Sequence, residues 1–188
     1  IDMGVVRDDP VRLEAAFAQA AQTADAIITS GGVSVGEADF TKAMMKKLGD
    51  VAFWKIAMRP GRPMAVGRIG KSVLFGLPGN PVAVMVTFLA FVRPALLRMM
   101  GSSAKTAPFL RAKCQEPLRK KAGRTEYQRG FVSTAPDGTL HVRTTGNQGS
   151  GVLSSMVHGN GLIVLHHEQG NVAVGDEVDV MMFEGALH

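Results

Sequence analysis

The sequence predicts an α/β domain followed by a small all-β barrel. Up to about residue 101, short apolar runs alternate with helix-length segments, and a glycine loop sits between a strand and a helix, the pattern of a parallel α/β sheet. Beyond that point the segments are short and alternating, with turns such as Pro136-Asp-Gly138 and Val174-Gly-Asp176 between them, which suits an antiparallel barrel. The chain has 188 residues, 46% of them hydrophobic and 20% charged, enough for two small cores. A boundary within Gly101-Ser-Ser-Ala-Lys105 divides it into domains 1–101 and 102–188.

Residues 3–7 read as a short buried strand. Asp9-Pro10 starts a helix to about Thr23, because the carboxylate accepts from the first free N–H groups and proline lacks one that would go unpaired. Asp25–Thr29 is a second apolar strand, and it delivers the chain to Ser30-Gly-Gly-Val-Ser-Val-Gly36. Glu37 or Asp39 caps a helix through Leu48, with Gly49 as its stop. Val51–Ala57, Met64–Arg68 and Ser72–Gly76 are further strands, the first two separated by the irregular loop Arg59-Pro-Gly-Arg-Pro63. Asn80 caps and Pro81 opens an apolar helix; its run Val82–Val92 is shorter than a bilayer span, and Arg93-Pro94 interrupts it. In the second half, Phe109–Gln115, Tyr127–Thr134, Leu140–Thr145, Leu162–His166 and Glu177–Met182 are the barrel strands.

Charge is segmented. Residues 1–41 carry two basic and seven acidic side chains, residues 42–71 eight and one, and residues 105–129 eight and two; after Gly130 only Arg143 stands against six acids. Two basic stretches suit phosphates or oxoanions, and the 6% aromatic content leaves few platforms for stacked bases, which argues against nucleic acid. The single cysteine, Cys114, excludes an internal disulfide or a CxxC metal site and fits a reducing cytoplasm.

Four features could carry chemistry. The loop Ser30–Gly36 lies where an α/β sheet binds ligands, and its glycines let backbone N–H groups approach a phosphate; a plain tight turn would read the same way. Asp8 and Asp39 stand at one predicted sheet edge, as Mg²⁺ ligands or simply as helix caps. Arg59 and Arg62 form a proline-stiffened guanidinium pair whose fork geometry matches oxoanions, although a solvated basic loop has the same composition. Leu77-Pro-Gly-Asn-Pro81 lies at a helix N-terminus, a position that favours an anion, although a plain turn and cap has the same sequence. Arg129 and Ser150 fall on or near strand ends, His166-His167 reads as a strand-end pair rather than a metal site, and Cys114 as an inert buried side chain.

Taken in order, Thr29-Ser-Gly-Gly-Val-Ser-Val-Gly-Glu-Ala-Asp-Phe40, Phe53-Trp-Lys-Ile-Ala-Met-Arg-Pro-Gly-Arg-Pro63, Gly76-Leu-Pro-Gly-Asn-Pro81, Gln128-Arg-Gly130 and Gly146-Asn-Gln-Gly-Ser150 resemble one family, the MoeA-type molybdopterin molybdenumtransferases that include the E domain of gephyrin. The resemblance spans the whole chain. It implies a MogA-like three-layer molybdopterin-binding domain, incomplete at its N-terminus, followed by the C-terminal barrel. It further implies insertion of molybdate into adenylylated molybdopterin with Mg²⁺-dependent release of AMP, in a cytoplasmic homodimer, with other proteins of molybdenum cofactor biosynthesis as possible partners and neither nucleic acid nor membrane. Gly31, Gly32, Ser34 and Gly36 match the pterin phosphate site, Asp39 and Asp8 the acidic, metal-holding residues, and Lys55 a basic residue of the same cleft. Arg59, Arg62, Arg129 and Ser150, with Pro78 nearby, match positions around molybdate. Two departures are visible: Arg59 and Arg62 stand where lysines are usual, and Ala83 where a serine is common. The resemblance also implies earlier domains and a partner subunit, so the isolated chain is expected to be an inactive C-terminal portion. A scaffold module of the gephyrin kind, without catalysis of its own, is the alternative.

Overall fold

The computed structural model describes residues 1–7, 9–33, 39–103 and 108–183, with only the backbone of residues 39 and 40. Two compact units emerge. The first comprises Ile1–Ile56 and Gly61–Val92, the second Ala57–Pro60 and Arg93–His188.

In the first unit, α1 (Pro10–Thr23) begins as expected: the Asp9 carboxylate accepts the Arg12 N–H at 2.9 Å, and Pro10 opens the helix. Leu13, Phe17 and Ala20 recur at helical spacing and are buried. At the other end the hydroxyl of Ser72, itself buried, donates to the carbonyls of Ala21 and Ala24 and so satisfies acceptors that the helix leaves open. Strands β1 (Ala26–Ser30), β2 (Gly49–Lys55), β4 (Pro63–Ile69) and β5 (Ser72–Leu77) form a sheet of order β1-β5-β4-β2, and α2 spans Asp39–Leu48. The helices and the sheet meet in one core built on Leu13, Phe17, Ile27, Met45, Ala65 and Leu74.

Two expectations change here. Only the β1–β5 pair is parallel; β4 pairs antiparallel with both β5 and β2, because the turn at Gly70-Lys71 between β4 and β5 is too short for a crossover. Residues 3–7 are not a strand: no described strand pairs with them, and Ile1 and Val5 are both 96% exposed. The interruption expected at Arg93-Pro94 takes the form of a π turn inside one helical span. After α3 (Pro81–Thr87), capped by the Asn80 side chain on the N–H groups of Val82 and Ala83, comes a π-helical turn, Phe88–Val92, and then α4 (Arg93–Met99). The π turn lies just before Pro94, where the proline cannot supply the next i→i−4 bond. The whole span Pro81–Met99, with mean hydropathy 1.8, is long and apolar enough by length and composition to cross a membrane, and Val82, Ala83, Val86 and Val92 within it are buried in the protein.

The second unit is a closed five-stranded barrel. Strands β7 (Thr125–Thr134), β8 (Leu140–Thr144), β6 (Leu110–Cys114), β10 (Glu177–Met182) and β9 (Gly161–Leu165) pair in that order, and β7–β9 pairing closes the ring. The expected antiparallel barrel is corrected at one seam: β6 pairs parallel with β8, the chain between them being long enough for a crossover through β7. A two-residue strand, β3 (Met58–Arg59), pairs parallel with the start of β7, Arg59 opposite Glu126. Val142, Ile163, Leu165 and Val180 are fully buried in the barrel core. Gly130 sits where a Cβ would come within 2.8 Å of Ile163 and 3.1 Å of Val142, so glycine lets β7 lie against that core without displacing either side chain. Cys114 is buried there as well. Burial, with smaller contributions from Asp176 and Glu116, pushes its thiol up to about 11, and it remains an unreactive filler at neutral pH.

Candidate functional site

Each unit carries one locus of interest. In the first, β1 runs straight into Gly31 and Gly32, both in the left-handed region at φ +87° and +68°. The Gly31 N–H donates to the Leu77 carbonyl at 3.1 Å and extends the β1–β5 pairing by one step. At Gly32 a Cβ would lie 2.5 Å from the Thr41 side chain, so both the dihedral and the space require glycine. The Thr29 hydroxyl is buried beside this turn without a hydrogen-bond partner among the described residues. Of the other residues expected here, Asp8, Ser34 and Gly36 lie outside the described residues, as does the side chain of Asp39, whose backbone opens α2. Lys55 ends β2 and is exposed; Pro78 is buried in the turn after β5; Arg62 is exposed just ahead of β4, its carbonyl accepting the Ile56 N–H at 2.8 Å.

The second locus is a cavity of about 260 Å³ on the barrel unit, with Arg59, Glu116, Arg119, Glu126, Arg129 and Gln148 in its wall. Pairing of β3 with β7 places Arg59 there; Arg62, three residues on, belongs to the other unit. The two arginines of the loop are therefore divided between the units.

Arg129 is the unusual side chain. It is 1% exposed, yet its partners are neutral: Nε donates to the Ser155 hydroxyl at 2.9 Å and Nη2 to the Gly149 carbonyl at 3.0 Å. A guanidinium has five N–H donors. Three of them have no partner among the described residues. The acidic side chains in the wall are otherwise engaged. Glu126, 4% exposed, is held by the Arg124 guanidinium at 2.7 and 2.8 Å and by Gln128 at 3.3 Å, and Glu116 accepts the Thr144 N–H at 2.6 Å. Burial first, and then the positive charge of Arg59, push the Arg129 guanidinium below its ordinary value. A buried cation with unspent donors and no counterion is suited to receive an anion.

The backbone at Arg129 is fixed just as closely. Strand β8 stops at Thr144, and the Gln148 side chain takes over its pairing role: Oε1 accepts the Arg129 N–H at 2.7 Å while Nε2 donates to the Arg129 carbonyl at 3.0 Å. Ser150, expected beside the anion, is exposed and directly follows the Gly149 carbonyl that holds Nη2. Gln148 and Glu126 each fall inside a sequence motif, Thr144–Ser150 and Arg124–Arg129, that assigns them no role, and Ser155 falls in none. Gly146-Asn-Gln-Gly-Ser150 held the signal for Gln148; nothing local marked Ser155.

The fold and these two loci define a class: a sheet-and-helix domain with a strand-end glycine turn, followed by a closed barrel carrying a buried, unneutralised arginine. Residues 1–98 match the family model described as "Probable molybdopterin binding domain", and residues 111–183 match the MoeA C-terminal region, domain IV. The chain is 44% identical over all 188 residues to a molybdopterin molybdenumtransferase of Haemophilus influenzae, and 32% identical over 184 residues to one of Nostoc. Dictyostelium discoideum gephyrin is 30% identical over 203 aligned positions, covering 96% of the chain and 28% of gephyrin. Among solved structures, a Pyrococcus horikoshii molybdopterin biosynthesis MoeA protein superposes with TM-score 0.74 at 25% identity, over 97% of this chain and 41% of that one. A molybdenum cofactor biosynthesis protein of Pyrococcus furiosus gives 0.71 at 26% identity, over 97% and 58%. The chain thus belongs to the MoeA-type molybdopterin molybdenumtransferase family, and it spans about half the length of the curated relatives it matches, 46% and 42% for the two transferases.

Proposed function

We propose that this chain supplies the molybdopterin-binding domain, residues 1–101, and the barrel domain, residues 102–188, of an enzyme that inserts molybdate into adenylylated molybdopterin, with Mg²⁺-dependent release of AMP. The observation that carries this reading is Arg129, buried without a carboxylate partner beside Arg59 and retaining three N–H groups for an oxoanion. On the family pattern Arg62, Pro78 and Ser150 are also assigned to molybdate. Gly31, Gly32, Ser34 and Gly36 hold the pterin phosphate, where the left-handed dihedrals of the first two leave room for backbone N–H donors. Asp39 and Asp8 are assigned to Mg²⁺ and Lys55 to the basic wall of the cleft. The metal, when bound, supplies Lewis-acid polarisation of a phosphoryl oxygen. Work on the protein's side consists of binding and orienting anions. The same reading includes a cytoplasmic homodimer and contact with other proteins of cofactor biosynthesis.

Inorganic molybdate titrated calorimetrically into the chain and into Arg59→Met and Arg129→Met tests the assignment. Both substitutions are expected to lower affinity at least tenfold, the scale of one lost charge-assisted hydrogen bond, about 1.5–3 kcal/mol. Undiminished binding by both variants would refute it.

A further inference from the structure

The buried arginine is useful to an oxoanion only if its plane and its free edge are fixed, and the barrel contains a device that does this. We infer that Ser155, supported by Gln148, is a positioning residue that aims the open edge of the Arg129 guanidinium into the cavity; this rests on the oxoanion reading above.

Three observations carry the inference. First, the polarity of the Ser155 hydroxyl is settled. Ser155 is 2% exposed, and its oxygen lies 2.5 Å from the Val152 carbonyl, which can only accept. The hydroxyl hydrogen points at that carbonyl, leaving the lone pairs to face Arg129 Nε at 2.9 Å. Second, Nε and Nη2 are taken by partners from the same stretch of chain, Gly149 and Ser155, so a single loop-and-helix segment grips one edge of the guanidinium plane. With that edge fixed, both Nη1 hydrogens and one Nη2 hydrogen project from the other. Third, the backbone beneath the side chain is clamped independently, by Gln148 on both the N–H and the carbonyl of Arg129 and by the Thr145 N–H on the same carbonyl at 3.0 Å. Neutral acceptors are what such a device requires. A carboxylate at residue 155 would hold the arginine equally well but cancel the charge meant for the ligand.

The test compares the unsubstituted chain with Ser155→Ala and Ser155→Thr, using inorganic molybdate as probe. S155A is expected to weaken molybdate binding about tenfold or more, the scale seen when an orienting partner of a ligand-holding side chain is removed. S155T, which keeps the oxygen, should recover most of the loss. A ligand-free measurement runs in parallel: the Arg129 Nε–H resonance should exchange slowly in the unsubstituted chain, fast in S155A and slowly again in S155T. Where S155A does not fold, Ser155→Cys carries the same test, because a thiol fills similar space but accepts weakly. Molybdate binding that S155A leaves unchanged, or weakened binding with Nε–H exchange unaltered, overturns the positioning role alone. Failure of the unsubstituted chain to bind molybdate overturns the oxoanion reading and this inference together.

Discussion

Among the described residues the barrel buries two cations without carboxylate partners, and they are treated in opposite ways. Lys120, 7% exposed, points its ammonium at three carbonyls, those of Gln169 at 2.8 Å, Lys121 at 3.2 Å and His167 at 3.4 Å, while its backbone N–H donates to Asn171 at 2.9 Å. An ammonium has three donors. All three are used, and the lysine ties the 117–121 segment to the turn after β9 as a structural staple. Arg129 is more deeply buried but has spent only two of its five donors. On the proposed reading, what separates a structural cation from a ligand-binding one is the number of donors the fold leaves open.

Four substitutions would break or sharpen this contrast. The largest effect is expected for Arg129→Met, which should lower molybdate affinity about 100-fold, roughly two charge-assisted hydrogen bonds, by calorimetry. Its chemical-denaturation stability should stay within about 1 kcal/mol of the unsubstituted chain, because a buried charge and its polar requirements go together. Lys120→Met should do the reverse: about 2 kcal/mol lost in denaturant unfolding through three orphaned carbonyls, with molybdate affinity unchanged. If both variants lost stability alone, Arg129 would be a second staple and the contrast would fail. Gly130→Ala should affect both properties. Its methyl group meets Ile163 and Val142, costing about 1–3 kcal/mol in overpacking and shifting the strand residue adjacent to Arg129. The smallest effect is assigned to Asp179→Asn, which touches neither cation's hydrogen bonds directly. Burial alone would raise the Asp179 carboxyl, but hydrogen bonds from His166 at 2.6 Å and Arg111 at 3.0 Å outweigh it and hold the group below its ordinary 3.8. A depressed folded value means stability present above the unfolded value and lost as pH falls through the folded one. Thermal melts should show about 0.5 kcal/mol lost at pH 7 in D179N. The difference between the two proteins should vanish once the pH drops below the folded value, under 3.8.

Local chemistry was the legible part of the sequence. Asp9-Pro10 and Asn80-Pro81 announced helix starts because a cap acts within three residues, and the structure shows both. Five barrel strands were readable from alternation and turns. Strand direction and pairing were harder: residues 3–7 have strand composition, but a strand needs a neighbour, and no described strand pairs with them. Arg93-Pro94 was legible as an interruption, because a proline removes one hydrogen bond; that a π turn absorbs the loss and the helix continues was not.

The candidate site divides along the same line. Types and motifs determined which arginines and glycines this chain offers, and from them came the oxoanion proposal, since charge and tolerance of φ > 0 are properties of single residues. Which arginine stays with which unit was decided only by β3 pairing with β7, which takes Arg59 to the barrel while Arg62 remains in the other unit. Likewise the partners of Arg129 lie 19, 20 and 26 residues further along the chain. Donor counting at a buried cation depends on such long-range contacts, which closure of the barrel brings about and no local pattern encodes.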